Sequence, residues 1–184
     1  MEIRTVATGV GFAEGPTILE NGDVVVTSID QGRIYRLPRH GAAEVLAVAG
    51  GGPNGSTEGS DGRIYVSQNG GTKPAHNWPG ICGGIQAVQP NGEVAWITQD
   101  TVSPNDLCFG PDGLLYVTDP TRRAARDDGR LWRCDVGSGE AELLASVNYY
   151  PNGIGFGIDD AALFVASTGE ASTWFSGSSR VGRS

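Results

Sequence analysis

The sequence predicts an all-β fold built of repeated four-stranded units, and three observations carry that prediction. Glycine supplies 29 of the 184 residues and is spread along the chain, which implies many turns and many short strands. No segment keeps an i, i+3, i+4, i+7 apolar stripe for three turns, so long amphipathic helices are not expected. A pattern also recurs: a polar residue, a glycine eight positions later, then a short strand. Glu14 precedes Gly22 and "DVVV", Asn54 precedes Gly62 and "RIYV", and Asn105 precedes Gly113 and "LLYV". Asn152 precedes "ALFV" with one residue added in the turn.

Each unit opens on a strand A that ends in a tight turn ("ENGD", "SDGR", "PDGL"), followed by strand B. In the first three units a strand C follows at 32–37, 83–89 and 129–135, and a strand D at 42–49, 92–98 and 140–146. The turns before strand D run over Pro38–Gly41, Pro90–Gly92 and Gly137–Gly139. Units starting 40, 51 and 47 residues apart, each of four antiparallel strands, are the sequence signature of β-propeller blades. The blades begin near 12, 52, 103 and 150, giving about four blades and an incomplete ring. Residues 1–170 form this partial propeller, and 171–184, rich in Ser, Gly and Arg, read as a flexible or aberrant tail.

A net charge of −8 disfavours nucleic-acid binding, which needs a positive field. No apolar run approaches membrane-spanning length, and "MEIRTVATGV" has no apolar leader core, so a soluble cytoplasmic protein without membrane partners is expected. Cys82, Cys108 and Cys134 are odd in number and lack CxxC spacing, so small buried thiols are expected rather than a disulfide or zinc framework. No GxSxG, P-loop or HExxH motif occurs.

In a blade of this kind strand A lines the central channel. Glu14, Asn54, Asn105 and Asn152 each open a strand A, so all four are expected at one channel mouth. One carboxylate and several amide oxygens form a hard-oxygen set suited to calcium or a similar divalent cation. Taken one at a time, such residues beside proline also serve simply as turn formers. The long B–C loops, 69–83 and 119–129, lie on the same face, where loops carry function on rigid scaffolds. They hold His76 and Trp78, read either as a lid or as exposed loop residues. They also hold Arg122, Arg123 and Arg126, read either as a site for an acidic substrate group or as solvated surface.

"FAEGP" (12–16), "SPNDLCFGPDGLLYVTDP" (103–120) and "YPNGIGFGIDDAALFVAS" (150–167) together resemble the SMP-30/gluconolactonase/luciferin-regenerating enzyme family. The resemblance implies a six-bladed propeller with an axial divalent metal and hydrolysis of a sugar lactone or similar cyclic ester. It implies calcium first, with zinc, magnesium or manganese as alternatives. Glu14 and Asn152 match metal-binding positions, and Asn105 matches a residue that touches metal or substrate. Asn54, His76 and Arg122 join Asn105 as substrate-binding candidates. The family's metal-binding aspartate, also its base, comes from a fifth blade, and the sequence ends inside the fourth. Asp106 and Asp119 are therefore the candidate catalytic bases in this chain, with weak metal binding and little or no turnover expected. Residues 2–7, which in relatives join the last blade, are expected to be loosely held or paired elsewhere. The open propeller edges invite self-association. A non-catalytic fragment acting as a binding or assembly module is the competing expectation.

Overall fold

The computed structural model describes residues 3–71, 81–121, 128–160 and 162–168. Their regular structure is entirely strand. Three antiparallel four-stranded sheets and one two-stranded sheet follow one another along the chain. The first is β1(Ala13–Ile18), β2(Val24–Ser28), β3(Arg33–Leu37) and β4(Glu44–Val48), and the second is β5(Pro53–Glu58), β6(Ile64–Gln68), β7(Gly84–Val88) and β8(Val94–Thr98). The third is β9(Leu107–Phe109), β10(Leu115–Asp119), β11(Gly129–Cys134) and β12(Ala141–Val147), and the fourth is β13(Pro151–Phe156) with β14(Leu163–Ser167). No strand pairing joins one sheet to another among the described residues, so the blades form an open series. No helix is long and apolar enough to cross a membrane among those residues. Residues 3–12 lie in no strand, and Ile3 and Val6 are 86% and 71% exposed. The tail 171–184 lies outside the described residues.

The A–B turns show why the repeat has its phase. Asn21, Asp61 and Asp112 each accept the backbone N–H two residues on, and the glycine between adopts φ of +83°, +76° and +79°. A side-chain acceptor followed by a left-handed glycine makes a tight turn at little strain. The fourth turn has the extra residue, and Asp160 takes the positive φ instead, at 55°. Strand B alternates between the two neighbouring blades. In β6, Ile64 and Val66 pack back onto blade one with Val25 and Ile34, while Tyr65 packs forward on blade three, its ring edge-on to Phe109 at 5.2 Å. Val165 of β14 packs back onto Leu131 and Val147 in the same way. The core therefore lies between blades, and each blade is stabilised by its neighbours.

The first turn also carries an acid-sensitive contact. The Asp23 carboxylate accepts the Arg36 Nε–H at 2.7 Å and the Arg39 backbone N–H at 3.0 Å. The bond from Arg36, then that from Arg39, hold its pKa below the ordinary carboxylate range. A carboxylate with a lowered folded pKa adds stability above its unfolded value of about 4, and that stability is lost as pH falls through the lowered value. Asp23→Asn is expected to lower Tm near neutral pH, with the gap from wild type closing below about pH 4. Parallel melts across that range check it.

Candidate functional site

Each strand A is irregular at its candidate site residue. The β1–β2 register slips between Glu14 and Thr17, the β5–β6 register between Pro53 and Ser56, and the β13–β14 register between Pro151 and Ile154. In blade three the ladder of β9 begins only at Leu107, just after Asn105 and Asp106. Bulges of this kind re-aim a side chain and release backbone groups from the ladder. The three bulges and the short β9 bring Glu14, Asn54, Asn105, Asp106 and Asn152 to one cavity of about 160 Å³, with Ser56 and the backbone of Gly15 and Gly55 in its wall. The innermost strands also approach closely there: the Gly55 N–H donates to the Asn105 carbonyl at 2.7 Å. A Cβ on Gly55 would stand 2.7 Å from Asp106 Cα and 2.8 Å from that carbonyl oxygen.

Asn54 and Asn105 are only 8% and 9% exposed, yet their side-chain amides have no hydrogen-bond partner among the described residues. The two amides open onto the cavity, where water or an entering ligand would supply their partners. The Asn152 amide N–H₂ donates to Thr168 Oγ1 at 2.9 Å, which fixes the amide and keeps its oxygen for the cavity. Asp106 receives the Leu107 N–H on Oδ1 at 2.9 Å and the Ile154 N–H on Oδ2 at 3.2 Å, so its carboxylate bridges blades three and four. Burial raises its pKa above the usual carboxylate value, and the negative charge of Glu14 adds to the rise. A cation between the two carboxylates would relieve both costs.

This donor set fits a hard divalent ion. Its atoms are carboxylate and amide oxygens, and among the described residues no three His, Cys, Asp or Glu side chains come together. Neutral oxygens would therefore complete the shell, as calcium tolerates.

Asp119 sits elsewhere. It is fully buried and does not line the cavity. Its Oδ1 accepts the Ser103 and Thr121 N–H groups at 2.9 and 3.1 Å, and its Oδ2 accepts those of Val102 and Trp132 Nε1 at 2.8 and 3.2 Å. A carboxylate held by four donors fastens the link into blade three and has no free edge for a substrate. The aspartate ends the hairpin that Asn105 opens, but its side chain points to the link. His76 and Arg122, with Trp78, Arg123 and Arg126, lie outside the described residues. Sequence reasoning missed Ser56, whose hydroxyl donates to the Gly15 carbonyl at 2.6 Å and ties β5 to β1. The only trace was the glycine after Glu14, Asn54 and Asn152, a residue with too many other uses to single out a bulge.

Comparison with known proteins identifies the family and the fold. The sequence pattern of the SMP-30/gluconolactonase/LRE-like region matches residues 12–178. A gluconolactonase from Zymomonas mobilis is 25% identical over 198 residues, covering 92% of this chain and 52% of the relative. The structure of a Xanthomonas campestris gluconolactonase superposes with a TM-score of 0.74 at 20% identity, covering 92% of this chain and 59% of the other. Regucalcin from Agrobacterium tumefaciens, described as a calcium-binding protein, superposes with a TM-score of 0.65 at 18% identity, covering 85% and 50%. The chain thus spans about half the length of the curated relative, and the structural likeness is one of fold, that of the β-propeller. With its family pattern running through all four blades, the chain belongs to the SMP-30/gluconolactonase/LRE-like family.

Proposed function

We propose that the axial cavity binds a divalent cation, calcium first, and that the chain carries part of a lactone-hydrolysing site. The observation that carries the reading is the convergence of four positions of one repeat phase, three of them at strand bulges and two of them buried asparagines whose amides have no partner among the described residues, on one oxygen-lined cavity. The name of the Zymomonas relative supports the lactone substrate class, and the regucalcin neighbour supports calcium. Glu14, Asn105 and Asn152 would hold the ion, Glu14 supplying charge and the amides supplying oxygen. A cation there would supply polarisation of a lactone carbonyl and a lowered pKa for water. Asn54, whose amide has no partner among the described residues, would donate a hydrogen bond to a substrate oxygen. Asp106 would be the carboxylate that accepts a proton, since it lines the cavity and Asp119 is already held by four donors.

Binding without turnover is the second reading. Asp106 carries backbone N–H groups on both oxygens, which weakens it as a base. Thermal melting across a calcium titration, wild type beside Glu14→Ala, tests the site. A ligand at about a hundredfold excess over Kd stabilises the folded state by about 2.7 kcal/mol, several degrees in Tm for a chain of this size. Calcium is expected to raise the wild-type Tm and leave Glu14→Ala unchanged, and equal responses of the two would overturn the assignment. Hydrolysis of glucono-lactone by the calcium-loaded chain then separates turnover from binding.

A further inference from the structure

Three hydroxyls outside the cavity wall share one role. Thr27 Oγ1 donates to the Asn54 carbonyl at 2.5 Å, Ser67 Oγ to the Asn105 carbonyl at 2.5 Å, and Thr118 Oγ1 to the Asn152 carbonyl at 2.6 Å. Each hydroxyl sits at the fourth position of its strand B, in "VVVTS", "IYVSQ" and "LYVTD", and each is fully buried. Each reaches forward to the next blade, and its acceptor is the carbonyl of a cavity asparagine. The Asn54 and Asn152 acceptors lie where bulges interrupt the strand ladder, so these two carbonyls need partners from outside it, and the Asn105 carbonyl accepts the Ser67 hydroxyl beside the Gly55 N–H.

We infer that Thr27, Ser67 and Thr118 are positioning residues for the cavity. Holding the carbonyl of an asparagine fixes the peptide plane that follows it, and with it the direction in which Cα presents the side-chain amide. Each blade thereby aims the amide of the next. The inference rests on reading the cavity as a binding site. A hydroxyl that only filled space between blades could be replaced by a methyl group. A hydroxyl that aims an amide could not. The fourth blade has Ala166 at the same position in "LFVAS", so the series stops there among the described residues.

The test uses the whole chain and side-chain amide correlations in ¹H–¹⁵N NMR, with calcium as the titrant. Thr118→Val keeps the shape and removes both the donor to the Asn152 carbonyl and the acceptor of the Asp106 N–H, while Thr118→Ser keeps both. Thr118→Val is expected to move the Asn152 side-chain amide signals, leave those of Asn54 in place, and weaken calcium binding at least about threefold, as the loss of neutral hydrogen bonds to two cavity residues implies. Thr118→Ser is expected to restore both. If Thr118→Val does not fold, Thr27→Val read at Asn54 makes the same comparison in the first blade. Unmoved side-chain amide signals in a folded valine variant would overturn the inference. Amide signals that follow the hydroxyl in a wild-type chain that binds no calcium would support the positioning role while defeating the cation reading.

Discussion

Gly15→Ala is expected to cost the protein on the order of 10 °C in Tm, while Gly62→Ala costs about half as much or less. The two glycines share a positive φ, +47° and +76°. An alanine in that region costs about 1–2 kcal/mol. They differ in their surroundings. A Cβ on Gly62 meets nothing within 4 Å. A Cβ on Gly15 would overlap the Asn54 carbonyl oxygen and stand 2.7 Å from Gly55 Cα and Ser56 N. All three are backbone atoms of the neighbouring strand, so no side chain can swing aside. Relief requires β1 and β5 to separate, which also breaks the Ser56 bond to the Gly15 carbonyl. Overpacking and lost bonds bring the total to about 3–5 kcal/mol, and a chain of this size loses about 2–4 °C per kcal/mol. Melting curves of the two variants decide it. Equal losses would mean that the innermost strands are not in backbone contact. Because the same approach closes the cavity, Gly15→Ala is also expected to abolish the calcium response that Gly62→Ala retains.

The strands were legible because each carries its own signal. The turn glycines fix where strand B starts, and β2, β6, β10 and β14 lie where the eight-residue phase puts them. Strands C and D follow from apolar alternation between turns, and β3, β7 and β11 match the expected segments within a residue or two. The positions that meet at the cavity were legible for the same reason: Glu14, Asn54, Asn105 and Asn152 occupy one phase of the repeat, and equivalent positions in a propeller share a distance from the axis. Blade three departs from the pattern. Its strand A shrinks to Leu107–Phe109, because Asp106 stands where the other blades have glycine and its carboxylate reaches across to the Ile154 N–H. The hydroxyl series was not legible. Thr27 and Thr118 read as ordinary β-formers, and their acceptors are main-chain carbonyls, which leave no mark on residue type.

Asp119→Ala is expected to destabilise the protein by about 4 kcal/mol, whereas Asp106→Asn changes stability by no more than about 1 kcal/mol. The two carboxylates looked alike in sequence, flanking one hairpin. Their environments separate them. Asp119 satisfies four N–H groups drawn from Val102, Ser103, Thr121 and Trp132. Those donors span residues 102 to 132, and three are backbone groups, so no local motif announced the cluster. Removing the carboxylate unpairs all four, the Ser103 and Thr121 N–H groups inside buried backbone, and a buried donor left unpaired costs about 1–3 kcal/mol before relaxation. Asp106 carries two N–H groups beside another carboxylate, in surroundings that already raise its pKa. An asparagine there gives up one acceptor but removes a buried charge that Glu14 repels, so the terms oppose. Chemical denaturation of both variants measures the difference, and calcium titration of each assigns the roles. Asp106→Asn is expected to weaken calcium binding in a chain that folds normally. Asp119→Ala is expected to lose stability while its folded fraction binds calcium as the wild type does. The reverse outcome would move the cavity's working carboxylate from Asp106 to Asp119.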